Sequence, residues 1–301
     1  IPNVKWKDVG GLENVKREIL DTIQLPLRHP ELFSKGLKKR SGILLYGPPG
    51  TGKTLIAKAV ATECSLNFIS VKGPELLNMY IGESEKNVRD VFERARNAKP
   101  CVLFFDEMDS VAPKRGQGSD SGGVMDRVVS QLLTELDGMS DGTDVFIIGA
   151  TNRPDLVDTA LTRPGRLDRL VYLGVSDSRE AQLKIVTALT RKFTLDDDVD
   201  LRRVVEKCSF NFTGADFYAL CSDAMLHALK RKIGDVDRIV AERKKQARSD
   251  EISPRLVLDQ MPAKELQVTV NMEDFEVARS KLNPSLSHEE LQHYVKLQKQ
   301  Y

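Results

Sequence analysis

The eight residues Gly47-Pro48-Pro49-Gly50-Thr51-Gly52-Lys53-Thr54 fit the phosphate-cradling pattern G-x-x-x-x-G-K-[ST]. Ile43, Leu44, Leu45 and Tyr46 precede them as a short apolar run with the character of a buried strand. Leu55, Ala57, Lys58, Ala59 and Ala61 follow as good helix formers. A plain Gly/Pro turn is the competing reading, but strand, loop and helix come in the order a cradle needs. Glycines let backbone N–H groups crowd round an oxyanion, and the helix N-terminus adds partial positive charge. Pro49, Gly50, Thr51, Gly52, Lys53, Thr54 and Leu55 are therefore the candidate contacts to a bound ATP. Lys53 is expected at the β- and γ-phosphates and the Thr54 hydroxyl on Mg²⁺.

The rest of the chain must supply a scaffold for that loop. Its 301 residues, 41% hydrophobic and 30% charged, allow one large or two ordinary globular domains. A formal net charge of +1 gives no global pull toward nucleic acid or an anionic membrane. Cys64, Cys101, Cys208 and Cys221 show no C-x-x-C spacing and read as reduced core thiols of a cytosolic-type compartment. No apolar run approaches the ~18 residues of a membrane span, and no signal peptide is visible. The chain opens at Ile1-Pro2 without Met, as a segment of a longer protein would.

Leu12, Val15, Ile19, Leu20 and Ile23 form a helical stripe that Pro26 and Pro30 are expected to end. Apolar strands are expected at 43–46, 67–71, 101–105, 145–150 and 170–173. Between them, amphipathic helices run from Glu83 to Ala98 and from Gly122 to Gly138. This alternation predicts an α/β fold: a doubly wound, mainly parallel five-stranded sheet over residues 1–174. From 175 to 301 only helical signals remain, a small all-helical lid. Asp177 with Glu180 is expected to cap its first helix, and Thr213, Asn271 and Ser287 the later ones. A charged stretch around 232–268, with Pro254 and Pro262, reads as a solvated insertion.

Three further motifs carry chemistry. Val102-Leu103-Phe104-Phe105-Asp106-Glu107 puts two carboxylates at the carboxyl end of a buried strand, where open α/β sheets bind ligands. Asp106 would hold Mg²⁺ through water, and Glu107 would orient and deprotonate an attacking water. Asn152, in Gly149-Ala150-Thr151-Asn152-Arg153-Pro154, ends a strand expected beside the loop strand; its amide would touch the γ-phosphate or that water. Arg163 and Arg166 flank the rigid turn Arg163-Pro164-Gly165-Arg166 and suit bidentate phosphate recognition on a neighbouring subunit's nucleotide.

In this order and spacing, with Gly10-Gly11-Leu12 ahead of them, these motifs resemble those of AAA ATPases over nearly the whole chain. The runs 59–68, 73–85 and 120–133 are most similar to the second ATPase module of the peroxisome-biogenesis branch. The resemblance implies that Met79, Tyr80 and Ile81 form a pore loop gripping a translocating polypeptide, and that Lys114 to Asp126 forms a second. Asp137-Gly138-Met139 would be an inter-subunit signalling turn, with Met139 where many relatives have Phe. Asp8, Val9 and Gly10 would line the adenine with Ile185, Gly214 and Ala215, and Gly214-Ala215-Asp216 offers no arginine, so a cis sensor arginine from the small domain would be absent.

The resemblance further implies ATP hydrolysis with Mg²⁺ in a hetero-hexameric ring with a homologous AAA subunit, peroxin one. A membrane-anchored receptor would hold the ring peripherally at the peroxisomal membrane. The threaded substrate would be the ubiquitinated peroxisomal import receptor, with no nucleic acid and no membrane insertion of its own. Rival readings are a segregase of another AAA branch, a nucleic-acid motor, which would want a basic channel, and an ATP-locked scaffold, against which Glu107 counts.

Overall fold

The computed structural model describes residues 1–29, 42–77, 82–114, 122–139, 144–247, 255, 257 and 260–301. Strands β1 (Gly42–Tyr46), β2 (Asn67–Lys72), β3 (Cys101–Asp106), β4 (Val145–Thr151) and β5 (Arg169–Tyr172) form one parallel sheet in the order β2-β3-β4-β1-β5. Successive residues of the central strands feed opposite faces, as a two-residue side-chain period requires. Leu44, Leu103, Phe105 and Ile147 join one buried cluster, and Ile43, Leu45, Val102, Phe104 and Ile148 the other. The apolar runs are continuous because both faces are covered.

Helices α1 (Glu13–Arg28) and α2 (Lys53–Glu63) cover one face with Ile19, Ile23, Ile56 and Val60. Helices α3 (Glu83–Asn97) and α4 (Gly122–Gly138) cover the other with Val88, Phe92, Val128 and Leu132. Each such side chain contributes about 1.5–3 kcal/mol through its burial. α1 does not end at Pro26. The helix runs on to Arg28 with Pro26 inside it and buried, forfeiting only the one bond that its missing N–H would make.

Contacts divide the chain into two compact units, Ile1–Val175 with Leu286–Tyr301, and Ser176–Ser285. The terminal segment, expected with the lid, instead packs on the first unit. Leu286, Tyr294 and Leu297 of the segment carrying α9 (His288–Gln300) meet Tyr172 and Val175.

The second unit holds α5 (Arg179–Thr190), α6 (Leu201–Glu206), α7 (Gly214–Ala247) and α8 (Met272–Lys281) round a core that includes Val186, Phe217, Leu220 and Phe275. It is not wholly helical: β6 (Thr194–Leu195) pairs in parallel with β7 (Thr269–Val270). The cap of α5 is Ser178, whose hydroxyl accepts from the Ala181 N–H at 3.2 Å; the helix starts two residues past Asp177. Thr213, Asn271 and Ser287 accept from the amides of Asp216, Asp274 and Glu290, as expected. The charged stretch after 232 begins as uninterrupted helix, because Val236, Ile239 and Val240 share a face with Val257 and Met261. Residues 248–254 lie outside the described residues. Burial pushes the Cys101 thiol up to about 11 and the Cys221 thiol to about 12, which suits inert core positions. Among the described residues no helix is long and apolar enough to cross a membrane.

One buried carboxylate joins α7 to α8. Asp274 Oδ1 lies 2.6 Å from His227 Nδ1, and its Oδ2 accepts from Arg231 Nη2 at 2.8 Å and from the Asn271 N–H at 2.9 Å. Burial alone would push this carboxyl up. The hydrogen bonds from Arg231, Asn271 and His227 together outweigh it and hold it below its ordinary value of 3.8. A depressed carboxylate stabilises the fold above its unfolded value and loses that contribution as pH falls through the folded one. Asp274→Ala should destabilise this unit by about 2 kcal/mol, discounted for the partial exposure of His227 and Arg231. It should also flatten the stability–pH curve below about pH 4. Urea denaturation across that range checks both.

Candidate active site

β1 runs into the phosphate loop at Gly47, and the backbone there excludes any side chain. Gly47 has φ 145°, and a Cβ would lie 2.0 Å from the Leu173 carbonyl oxygen. Leu173 N–H in turn donates to the Tyr46 carbonyl at 2.8 Å, so the end of β5 pins the loop's first residue. The loop closes on itself through Thr51 Oγ1, which donates to the Pro48 carbonyl at 2.9 Å.

Lys53, the first residue of α2, is only 8% exposed. Its ammonium donates to the Gly47 carbonyl at 2.9 Å and to the Pro48 carbonyl at 2.7 Å. Burial pushes it down from 10.5 to about 8, against the opposing pull of Asp106 and Asp109. An ammonium has three donors, so this one keeps capacity for an anionic partner.

The carboxyl end of β3 meets the loop directly. Thr54 Oγ1 donates to Asp106 Oδ2 at 2.9 Å, across 52 positions of sequence. Asp106 Oδ1 accepts from the Glu107 N–H at 3.0 Å. Glu107 sits in the left-handed region at φ 55°, ψ 49° and is exposed, its side chain turned out of the core. For a non-glycine residue that conformation costs about 1–2 kcal/mol. The turn passes so close over the end of β2 that a Cβ on Gly73 would lie 2.1 Å from Ser110 Oγ and 2.6 Å from the Glu107 carbonyl oxygen.

A hydroxyl and a carboxylate in contact are hard oxygen donors of the kind Mg²⁺ takes. Among the described residues there is no cluster of three or more His, Cys, Asp or Glu for a metal. This donor set fits Mg²⁺ held by one or two protein oxygens plus phosphate oxygens rather than by a protein cage.

β4 lies between β3 and β1, and its end delivers Thr151, Asn152 and Arg153 to the same edge. Asn152 is half-buried. Thr151 is buried; its hydroxyl donates to Asp109 Oδ1 at 2.6 Å and accepts from the Arg153 N–H at 2.9 Å. Arg153 forks onto Asp155 at 3.0 and 2.8 Å.

The two arginines of the rigid turn differ. Arg163 is exposed and borders a cleft of about 510 Å³ with Lys114, Asp158 and Thr159. Arg166 turns back into its own chain: Nε and Nη2 each donate to the Asp137 carboxylate at 2.8 Å, and Nη1 to the Ala160 carbonyl at 2.6 Å. That fork lowers the Asp137 carboxyl and raises the Arg166 guanidinium.

Val9 is buried, and its carbonyl accepts from Lys16 Nζ at 2.7 Å; Asp8 accepts from the Lys5 N–H at 2.8 Å and Gly10 is half-buried. Ile185, Gly214 and Ala215 belong to the second unit. Met79, Tyr80 and Ile81 lie outside the described residues, as do 115–121 of the second expected pore loop. Sequence reasoning missed the Asp109–Thr151 contact. It also missed the tyrosines at the end of β1, where the Tyr46 ring lies 5.4 Å from Tyr172 and 5.8 Å from Tyr301.

Comparison with known proteins points the same way as the motifs. The model of the ATPase family associated with various cellular activities (AAA) matches residues 43–175, and that of the AAA+ lid domain matches 198–239, together more than half the chain. The peroxisomal ATPase PEX6 of Pichia angusta is 64% identical over 306 aligned residues, covering 100% of this chain and 27% of that protein. PEX6 of Kluyveromyces lactis is 62% identical over 100% of this chain and 30% of its own length. PEX6 of Dictyostelium discoideum is 64% identical over 100% and 24%. The chain spans under a third of the length of these curated relatives.

The buried ammonium yields a test of phosphate binding. Without nucleotide, Lys53 loses its proton above about pH 8; an adjacent phosphate restores it. Nucleotide binding at about pH 9 should therefore take up close to one proton, and almost none at about pH 7. Calorimetry in buffers of different ionisation heat measures this. Lys53→Arg, which stays charged, should show no uptake at either pH.

Proposed function

The chain belongs to the AAA ATPase family, and from that membership we propose that its loop edge hydrolyses ATP to drive the threading of a protein substrate. The observation that carries the reading is the Thr54–Asp106 contact, which joins the phosphate loop to the carboxylate pair. Lys53 neutralises the β- and γ-phosphates. Thr54 and Asp106 would hold Mg²⁺, which would supply positive charge beside the phosphate oxygens. Glu107 orients the attacking water and takes its proton, and Asn152 fixes that water against the γ-phosphate. Arg163 and Arg166 act on the nucleotide of a neighbouring subunit. The exposed Arg163 reaches outward as it stands, whereas Arg166 must first exchange Asp137 for phosphate.

The PEX6 relatives are named peroxisomal ATPases, and that name supports a peripheral place at the peroxisomal membrane. In this reading the module forms a hetero-hexameric ring with the homologous subunit peroxin one, docked by a membrane-anchored receptor. Hydrolysis moves Tyr80, with Met79 and Ile81, and pulls the ubiquitinated import receptor from the membrane.

Glu107→Gln in the assembled protein should keep ATP affinity within about twofold while turnover falls by about 10²-fold or more. Unchanged turnover would remove Glu107 from its role. Mixing Arg163→Ala subunits with unmodified ones should depress ATPase more steeply than dilution, and a proportional decline would count against action between subunits. Tyr80→Ala should leave ATP binding intact and abolish substrate unfolding.

A further inference from the structure

Two turns leave adjacent strand ends; backbone bonds join their far sides, and one hydroxyl joins them beside Glu107 and Asn152. β3 and β4 pair in parallel with Phe105 opposite Gly149, so the turn holding Glu107 and the turn holding Asn152 emerge side by side. Glu107 leads into a single helical turn, Met108–Val111, which contains Asp109. Asn152 leads into the tight turn Pro154–Leu156. Between them stands Thr151, 1% exposed, its hydroxyl donating to Asp109 Oδ1 at 2.6 Å and accepting from the Arg153 N–H at 2.9 Å.

We propose that Thr151 and Asp109 act as a positioning clamp that sets the Asn152 amide against the Glu107 carboxylate. The inference rests on the hydrolytic reading above. A hydroxyl has one proton to give. Here it goes to a carboxylate, a charge-assisted bond stronger than a neutral one. The donated proton fixes the rotor, and the fixed rotor aims a lone pair at the Arg153 N–H. One side of the clamp holds the residue two after Glu107; the other holds the residue after Asn152. Neither clamp residue needs to touch nucleotide. The Asp109 carboxylate also acts electrostatically on Lys53 and Arg153, so the clamp lies within the field of the loop and of the Asn152 turn. The bond removes a freedom at the start of two short turns whose later residues are joined by backbone bonds, from the Lys114 N–H to the Leu156 carbonyl at 2.7 Å and from the Asp158 N–H to the Ala112 carbonyl at 2.8 Å, and a misplacement of ~1 Å at such a site can cost about 10²-fold in rate.

The clamp predicts a particular pattern of kinetics in the intact, assembled protein. Thr151→Val, which keeps shape and loses the hydroxyl, should lower kcat by about 10- to 100-fold with ATP Kd unchanged within about twofold. Asp109→Ala should match it, and the double variant should be no slower than either single one, as one shared interaction requires. Thr151→Ser should restore most of kcat, and Asp109→Asn, whose amide oxygen still accepts, should restore part. Multiplicative losses in the double variant, a loss expressed in Kd, or unchanged kcat in Thr151→Val would overturn the proposal.

A second readout does not depend on turnover. Exchange of the Arg153 amide, followed on a peptide covering Asn152 to Leu156, should speed up by roughly tenfold in Asp109→Ala. Unchanged exchange there refutes the clamp. If the unmodified protein does not hydrolyse ATP, the hydrolytic reading fails, while the exchange result still decides whether the clamp exists.

Discussion

The packing of both faces of the central strands governs everything at the site. Because Leu44, Phe105 and Ile147 must enter one core and Leu45, Phe104 and Ile148 the other, the parallel register cannot slip by one residue without exposing a whole face. That register sets Tyr46 opposite Thr151 and Phe105 opposite Gly149. The strands then end together, and Gly47, Asp106 and Asn152 leave the sheet at one edge. The sheet order β2-β3-β4-β1-β5 places the chain reversal at β1, where doubly wound sheets open a crevice for ligands. Chemistry placed 52 positions apart in sequence, at Thr54 and Asp106, meets within hydrogen-bond distance for this reason.

Within that edge the charges are held by short internal contacts. Lys53 rests on two loop carbonyls, Asp106 on the Thr54 hydroxyl and the Glu107 amide, and Arg166 on Asp137. Each is a group with unused capacity toward a phosphate or a hard cation. Burial sharpens the case of Lys53, since a desolvated ammonium near pH 8 gains most from an anion. The left-handed Glu107 is the local strain that turns its side chain outward from the end of a buried strand.

Much of this was legible in the sequence, and the reasons are physical. The five strands stood out because apolar runs bounded by turns are what a sheet buried on both faces produces. The phosphate loop and Asp106-Glu107 stood out because their spacing is local. Failures came where tertiary packing overrode local preference. Pro26 did not stop α1, since its ring is buried and only one backbone bond is lost. The charged stretch after 232 reads as a solvated insertion until Val236 and Val240 are seen to share a face with Val257. The last helix reads with the lid by position, yet Tyr294 and Leu297 pack under Tyr172. The Asp109–Thr151 contact joins residues 42 positions apart, and no periodicity or motif spacing encodes such a pair.

The central claim is that these groups converge on one ATP at the loop and that a neighbour's arginine completes the site. An experimental structure of the assembled protein with Mg²⁺ and a slowly hydrolysed ATP analogue tests it most directly. The account predicts that Lys53 Nζ leaves the Gly47 and Pro48 carbonyls for the β- and γ-phosphate oxygens. It also predicts that a cation comes between Thr54 and Asp106, and that Arg163 of one subunit lies within hydrogen-bond reach of the next subunit's γ-phosphate. Lys53 still on its loop carbonyls beside a bound nucleotide, or a γ-phosphate out of reach of any Arg163, would contradict it.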